Sequence, residues 1–257
     1  EGHTNTADKN YIYMAIRRPD GYCGKPIELG TSAFTTVASP NNTNEPLYAS
    51  NFIVDFAVQK AVGTSSDWYT GARLMQDQFL KFNANSSTGN MGATYQTFDM
   101  NNGWWNGDAA TQNGWNSWMW KRHAGFDVLT YAGDGQNERV MHHSMNKAPE
   151  MIWIKNRDAN EDWIVGHIGL DGGNAPFSHY LKLNSNQVEA DYPYFWDFTP
   201  TSTHFKLHSH TDVNGTSSNP TYLALLFASV DKISKCGFYT GTGSATTITT
   251  GFQPRFV

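Results

Sequence analysis

The stretch "MIWIKNRDANEDWIVGH", residues 151–167, holds two short apolar segments separated by a polar turn. The first segment is rich in large apolar residues. In the second, Trp163, Val165 and His167 fall on one face of an extended chain, because side chains alternate between the two faces of a strand. Segments this short, bounded by turn-forming residues, predict two β strands and not a helix.

A similar arrangement of residues occurs earlier in the chain. The matching pairs are "FAVQK" (56–60) with "MIWIK" (151–155), "DW" (67–68) with "DW" (162–163), and "FLKFN" (79–83) with "YLKLN" (180–184). The first two pairs are 95 residues apart and the third is 101 apart. The six extra residues lie around "DGGNAPFS", which indicates a longer loop. The sequence therefore contains an internal repeat.

Two further matches give the limits of the repeat. "YAGDG" (131–135) recurs as "YTGTG" (239–243), and "NYIYMAIRR" (10–18) aligns with "TYLALLFAS" (221–229). A unit of about 100 residues is a small domain and not the rung of a solenoid. The predicted division is a closing strand of a preceding repeat at 1–18, a divergent repeat at 19–122, a clear repeat at 123–229, and the first strands of a further, incomplete repeat at 230–257.

The clear repeat predicts an all-β fold. It holds about seven short strand-like segments with turn signals between most of them, the pattern of an antiparallel β-sandwich. Residues 53–62 resemble a short amphipathic helix, but the repeat aligns them with "EMIWIK", which favours a strand. The low charged fraction of 16% and the aromatic fraction of 14% agree with this class. We expect tandem antiparallel, jelly-roll-like β-sandwich domains.

Charge and hydropathy restrict the partners. The net charge is −5, and no basic cluster is longer than two residues, so we expect no nucleic-acid binding. No run of 18 apolar residues occurs, so we expect no membrane insertion. The sequence does not begin with Met, so we expect a processed product or a fragment of a longer protein. The two cysteines, Cys23 and Cys236, are expected to be buried thiols, although they could pair.

The order of these motifs resembles a known family. The segments "YAGDG", "APEMIWIKNR", "DWIVGH", "YLKLN", "FTPTSTHFKL" and "TYLALLFAS" are similar to a repeated, uncharacterised β-rich domain of tailed bacteriophages, common in marine and cyanobacterial phages. Segments of the divergent repeat, such as "WNSWMWKRHAGFDV", resemble a paired, slightly different copy of the same domain. The resemblance covers nearly the whole chain, and none of its motifs is catalytic.

The resemblance implies a non-catalytic structural protein of the virion, from a tail fibre or comparable appendage that serves host attachment. Proteins of this kind are usually elongated and often trimeric. We therefore expect partners among other virion proteins and copies of the same chain, with a homotrimer favoured. The alternatives are a domain that binds a host surface glycan directly, or a segment of a glycan-depolymerising tailspike.

A tryptophan-rich stretch, "NNGWWNGDAATQNGWNSWMW" at residues 101–120, is the candidate glycan site. Exposed aromatic rings stack on sugar rings, so Trp104, Trp105 and Trp115 are candidate carbohydrate-binding residues. The same three side chains could instead pack a seam between domains or between chains. Trp118 and Trp120 lie on the predicted closing strand and are expected in the core.

Other polar residues carry no clear chemistry. Glycoside hydrolysis needs a pair of carboxylates, and the candidates are Asp67, Asp77, Glu161, Asp162, Asp191 and Asp197. The pairs His142–His143 and His208–His210 come without an identifiable third ligand, and zinc sites use three or four. The glycine-rich turns at 133–135 and 241–243 are predicted to be hairpin turns. We expect no catalytic residues, no metal and no cofactor.

Overall fold

The computed structural model describes residues 27–39, 45–90, 98–105, 114–196 and 198–257. Within them the chain forms sixteen strands, all paired antiparallel, four short 3₁₀ helices, and one four-residue α helix, α1 (Thr211–Asn214). The predicted all-β, sandwich-type fold is confirmed. The segment predicted as a strand within residues 53–62 is also a strand. The predicted closing strand at 1–18 lies outside the described residues.

Two six-stranded sheets account for most of the fold. The first runs in the order β1-β8-β3-β4-β5-β6. Its strands are β1 (Phe34–Ala38), β8 (Trp115–Trp120), β3 (Phe56–Ala61), β4 (Tyr69–Ala72), β5 (Gln78–Lys81) and β6 (Gly89–Asn90). The second runs β9-β16-β11-β12-β13-β14. Its strands are β9 (Phe126–Ala132), β16 (Thr221–Phe227), β11 (Met151–Asn156), β12 (Ile164–His167), β13 (His179–Lys182) and β14 (Ala190–Asp191).

The two sheets have the same connections and the same register. In the first sheet Phe56 lies opposite Trp120, and in the second Met151 lies opposite Phe227. Lys81 lies opposite Tyr69, just as Lys182 lies opposite Ile164. These positions are equivalent in the repeat, with spacings of 95 residues for Phe56–Met151 and Tyr69–Ile164, 101 for Lys81–Lys182 and 107 for Trp120–Phe227. The same strand arrangement is therefore built twice.

A two-stranded ribbon accompanies each sheet. β2 (Tyr48–Ala49) pairs with β7 (Gly103–Trp104) beside the first sheet, and β10 (Arg139–His142) pairs with β15 (His204–Leu207) beside the second. Each ribbon contributes to a hydrophobic core with the outer face of its own sheet. The helix α1 contacts β11 and contributes Val213 to the second of these cores.

The inner faces of the two sheets meet in a third core, which we call the seam. Its members come from both sheets, and five pairs occupy equivalent positions: Val58 and Trp153, Trp68 and Trp163, Phe82 and Leu183, Trp118 and Leu225, Trp120 and Phe227. The alternation along β16 shows how one strand serves two cores. Leu223 and Leu225 point into the seam, while Tyr222, Ala224 and Leu226 point outward. The layers are therefore ribbon, sheet, sheet, ribbon.

The structure corrects two details of the sequence reading. The segment predicted to supply the first strands of a further repeat, 230–257, holds only an isolated bridge between Val230 and Ser234 and no strand. In each sheet the first strand of the repeat pairs with the last strand of the same repeat, β1 with β8 and β9 with β16. Residues 230–257 have no closing strand of their own repeat to pair with among the described residues. The turn at 133–135 is not a hairpin, since β9 and β10 pair with different strands. The division at residues 18, 122 and 229 stays a prediction.

Among the described residues, no helix is long and apolar enough to cross a membrane. Cys236 is a free thiol, and Cys23 lies outside the described residues. Burial, together with the nearby negative charge of Glu150, raises the pKa of Cys236 to about 12. The thiol is therefore protonated at neutral pH.

Candidate functional site

The tryptophans proposed for glycan binding lie mostly inside the protein. Trp104 and Trp105 are 0% and 1% exposed, and both belong to the core under the first ribbon. Trp104 stacks between Tyr48 and Phe98, and its indole N–H donates to the hydroxyl of Ser117 at 2.9 Å. Neither ring presents a face to a sugar, so the assignment of these two residues to carbohydrate binding is corrected to a core role.

Trp115 lies at the start of β8 and is half-buried. Its ring packs against Tyr69 at a centroid distance of 5.8 Å, and Tyr69 in turn packs against Phe79. Residues 106–113 of the same stretch lie outside the described residues. The seam contains five other tryptophans, Trp68, Trp118, Trp120, Trp153 and Trp163, and of these Trp118 and Trp120 were predicted to be core residues.

Two of the candidate carboxylates have a structural role, and the role is the same in both sheets. Asp67 forms an ion pair with Lys81 at 2.7 Å and accepts a hydrogen bond from Asn83. Asp162 does the same with Lys182 and Asn184. In each case the amide oxygen of the asparagine accepts the backbone N–H of the tryptophan that follows the aspartate, at 3.0 and 2.8 Å. These carboxylates therefore fix a strand entry.

A second group of polar and aromatic residues comes together on the outer face of the second sheet. We call it the acid–tyrosine surface, and it consists of Glu161, Tyr180, Tyr192, Tyr194, His210 and Asp212. The ring of Tyr192 contacts Tyr180, Tyr194 and His210 at centroid distances of 6.2, 5.2 and 5.5 Å. His210 caps α1, and its Nδ1 lies 3.6 Å from a carboxylate oxygen of Asp212. Asp212 shares a side-chain hydrogen bond with Glu161.

Burial controls the charges of this surface. Burial, followed by the charge and the hydrogen bond of Glu161, raises the pKa of Asp212 to about 7. Asp212 therefore keeps its proton up to about neutral pH. Burial also lowers the pKa of His210, against the opposing charge of Glu161. The surface thus offers both hydrogen-bond donors and acceptors at neutral pH.

Lys155 lies near these acids but is closed off from solvent. Its side chain is 0% exposed, and its ammonium donates to the carbonyl oxygens of Asn156 and Ala159 at 2.6 and 3.1 Å. Burial lowers the pKa of Lys155 to about 8, while the charge of Glu161 opposes the change. The equivalent residue of the first sheet, Lys60, is partly exposed and lies over the ring of Trp68. The two repeats therefore differ at this position.

This geometry suits reversible binding better than bond cleavage. Tyr194 is 61% exposed and packs on Tyr192, which contacts His210, and an exposed ring in such a polar cluster can hold a polar ligand. Glu161 and Asp212 bond to each other, whereas the two carboxyl groups of a glycosidase are at least about 5 Å apart, on either side of the scissile bond. No group of three or more metal-ligating side chains occurs within the described part of the chain.

Sequence reasoning found only parts of this surface. Glu161 and His210 were candidates, but for other partners. His208 and His210 both lie beyond the end of β15 at Leu207. The ring of His208 packs on Phe198, and the ring of His210 packs on Tyr192 and Phe195. The 50 residues between Glu161 and Asp212 carry no signal that the two side chains meet.

Comparison with known proteins places the chain in a family. The family described as a domain of unknown function, DUF7483, matches residues 103–257, which run from β7 through the whole second sheet to the last residue. No curated protein matches the chain. Because the match covers more than half of the sequence, the chain belongs to the DUF7483 family.

Proposed function

We propose that this chain is a non-catalytic structural module of a bacteriophage virion, part of a tail fibre or similar appendage that serves host attachment. The sequence resemblance to repeated phage domains supports the setting. The doubled fold supports the structural role, since repeats joined through a common core form a single stiff block. Other virion proteins and further copies of the chain, in a trimer, are the proposed partners, and the virion is the proposed location.

The seam is the observation that carries this proposal. Phe82 packs edge-to-face on Trp153 and Trp163 from the opposite sheet, at centroid distances of 5.5 and 5.0 Å. The indole N–H of Trp163 donates to the carbonyl oxygen of Lys81 at 2.9 Å. Thr88 donates to the carbonyl oxygen of Arg157 through its backbone N–H at 2.7 Å and its hydroxyl at 2.8 Å. Apolar packing and hydrogen bonds thus fix the two sheets relative to each other.

Antibodies against the purified chain test this proposal. We expect them to label an appendage of the virions that carry the protein, as seen by immunogold electron microscopy, and to block adsorption of these virions to host cells. Labelling of the infected-cell lysate without labelling of purified virions would overturn the proposal.

A second candidate function is direct recognition of a host surface glycan, now through the acid–tyrosine surface in place of the buried tryptophans. The specific support is the exposed ring of Tyr194, which packs on Tyr192, and Tyr192 in turn packs on His210 beside Asp212. A glycan array tests it with Tyr194→Ala, and with Tyr239→Ala as an equally exposed control elsewhere. We expect binding that only Tyr194→Ala abolishes. The absence of binding by the unmodified protein would contradict glycan recognition, and shortening of host polysaccharide would favour a depolymerase.

A further inference from the structure

The second ribbon brings two histidines directly opposite each other. His142 on β10 lies across from His204 on β15, and their ring centroids are 6.0 Å apart. His143, the residue that follows β10, donates its backbone N–H to the carbonyl oxygen of Thr203 at 3.1 Å. Because hydrogen-bonded and non-bonded pairs alternate along an antiparallel ladder, His142 and His204 form a non-bonded pair, the kind in which side chains approach most closely.

The ring of His204 is held in place from behind. Its Nδ1 lies 3.0 Å from the hydroxyl oxygen of Thr201 and 3.1 Å from that of Thr203. These contacts leave Nε2 on the outer side of the ring. A hydrogen bond to one ring nitrogen that orients the other nitrogen is the usual environment of a metal-binding histidine.

The neighbouring side chains leave this pair open. His142 is exposed and makes no hydrogen bond within the part of the chain that the structure describes. Both ring nitrogens of His143 are occupied, Nε2 by the carbonyl oxygen of Thr201 and Nδ1 by the backbone N–H of Met145. The ammonium of Lys206, on the same strand as His204, is paired with Glu138 at 3.1 Å.

From this arrangement we infer that His142 and His204 chelate a divalent late transition-metal ion across the second ribbon. Two imidazole nitrogens at the usual distance of about 2.0–2.1 Å from zinc place the ring centroids roughly 5–6 Å apart. The observed separation therefore needs only a small rotation of the rings. Imidazole ligands suit Zn²⁺, Ni²⁺ and Cu²⁺, with Cu²⁺ bound most tightly of the three. Solvent completes the coordination.

Such an ion links the two strands of the ribbon that covers the outer core of the second sheet. The ribbon supplies Met141, Phe205 and Leu207 to that core. An ion that binds the folded ribbon and not the unfolded chain raises the apparent stability of the fold. The sequence alone does not bring these two histidines together, because they are 62 positions apart in the chain.

Titration of the metal-free chain with NiCl₂ or ZnCl₂ tests the inference, after any purification tag has been removed. We expect one ion per chain by calorimetry, and at least tenfold weaker binding for His142→Ala and for His204→Ala. His208→Ala is the matched control, since it removes a histidine from the opposite end of the same ribbon, and it should bind as the unmodified protein does. The absence of binding up to about 1 mM metal, or an equal loss in His208→Ala, would overturn the inference.

A spectroscopic measurement covers the case in which a variant fails to fold. Electron paramagnetic resonance of the unmodified protein with one equivalent of Cu²⁺ should show hyperfine coupling to two imidazole nitrogens. A spectrum with one coupled imidazole, or with none, would also refute chelation by the pair.

Discussion

Trp163→Ala should be among the most destabilising single changes in the chain, and its repeat equivalent, Trp68→Ala, should be much milder. The backbone N–H of each tryptophan donates to an asparagine that the preceding aspartate holds in place, and both rings contribute to the seam. Trp163 is fully buried, whereas Trp68 is only partly buried. The pair therefore compares the same residue at equivalent positions with different burial.

The magnitude follows from the contacts that each ring makes. Trp163 loses its core volume, its edge-to-face contact with Phe82 and its hydrogen bond to Lys81, which together cost about 4–5 kcal/mol. Trp68 loses partial burial, its contact with Trp118 and the cation of Lys60 above its ring, which cost about 1–2 kcal/mol. Trp163→Phe keeps most of the packing and should fall between the two.

Urea unfolding followed by circular dichroism measures these free energies. We expect a single transition for the unmodified protein, because the sheets share the seam and neither keeps a covered inner face without the other. Losses of equal size for Trp163→Ala and Trp68→Ala would refute the assignment of the seam. Two separate transitions in the unmodified protein would show that the sheets are independent, which contradicts the same reasoning.

Three further changes test other parts of the structure. The stability of the unmodified protein relative to Asp212→Asn should fall by about 1–3 kcal/mol as the pH rises from about 4 to about 7. The reason is that the carboxyl group of Asp212 keeps its proton in the folded protein over a pH range in which it has lost the proton in the unfolded chain. A difference in urea unfolding between the two proteins that does not change with pH would contradict this. Gly133→Ala should lower the free energy of unfolding by about 2 kcal/mol or more, as measured by thermal unfolding, because the new Cβ would clash with the carbonyl oxygen of Gly215. Gly241→Ala is the control, since its new Cβ meets no atom within 4 Å and the change should be neutral. Cys236 should stay unmodified by iodoacetamide at pH 7.5 in the folded protein, because burial raises its pKa to about 12. Peptide mass spectrometry measures the labelling, and rapid modification of Cys236 would argue against its burial.

The sequence predicts individual strands well, and it predicts their partners in space poorly. The segments at 56–60 and 151–155 are strands, and their spacing of 95 residues matches the observed register. Alternation identifies a strand face that must be covered, but not what covers it. The same limit explains the error at Trp104 and Trp105, since a Gly- and Asn-rich context is typical of exposed loops and of tight turns beside a core. The Glu161–Asp212 contact depends on α1, a helix of four residues that no periodicity could predict.

The seam also has a consequence for how the two repeats stay together. Equivalent positions of the two repeats, such as Trp68 and Trp163, lie in the same core, so both copies use the same face for contact. If the repeats were separate chains, this face would be a subunit interface whose occupancy depends on protein concentration. Because one chain carries both repeats, the contact is intramolecular and persists at any dilution.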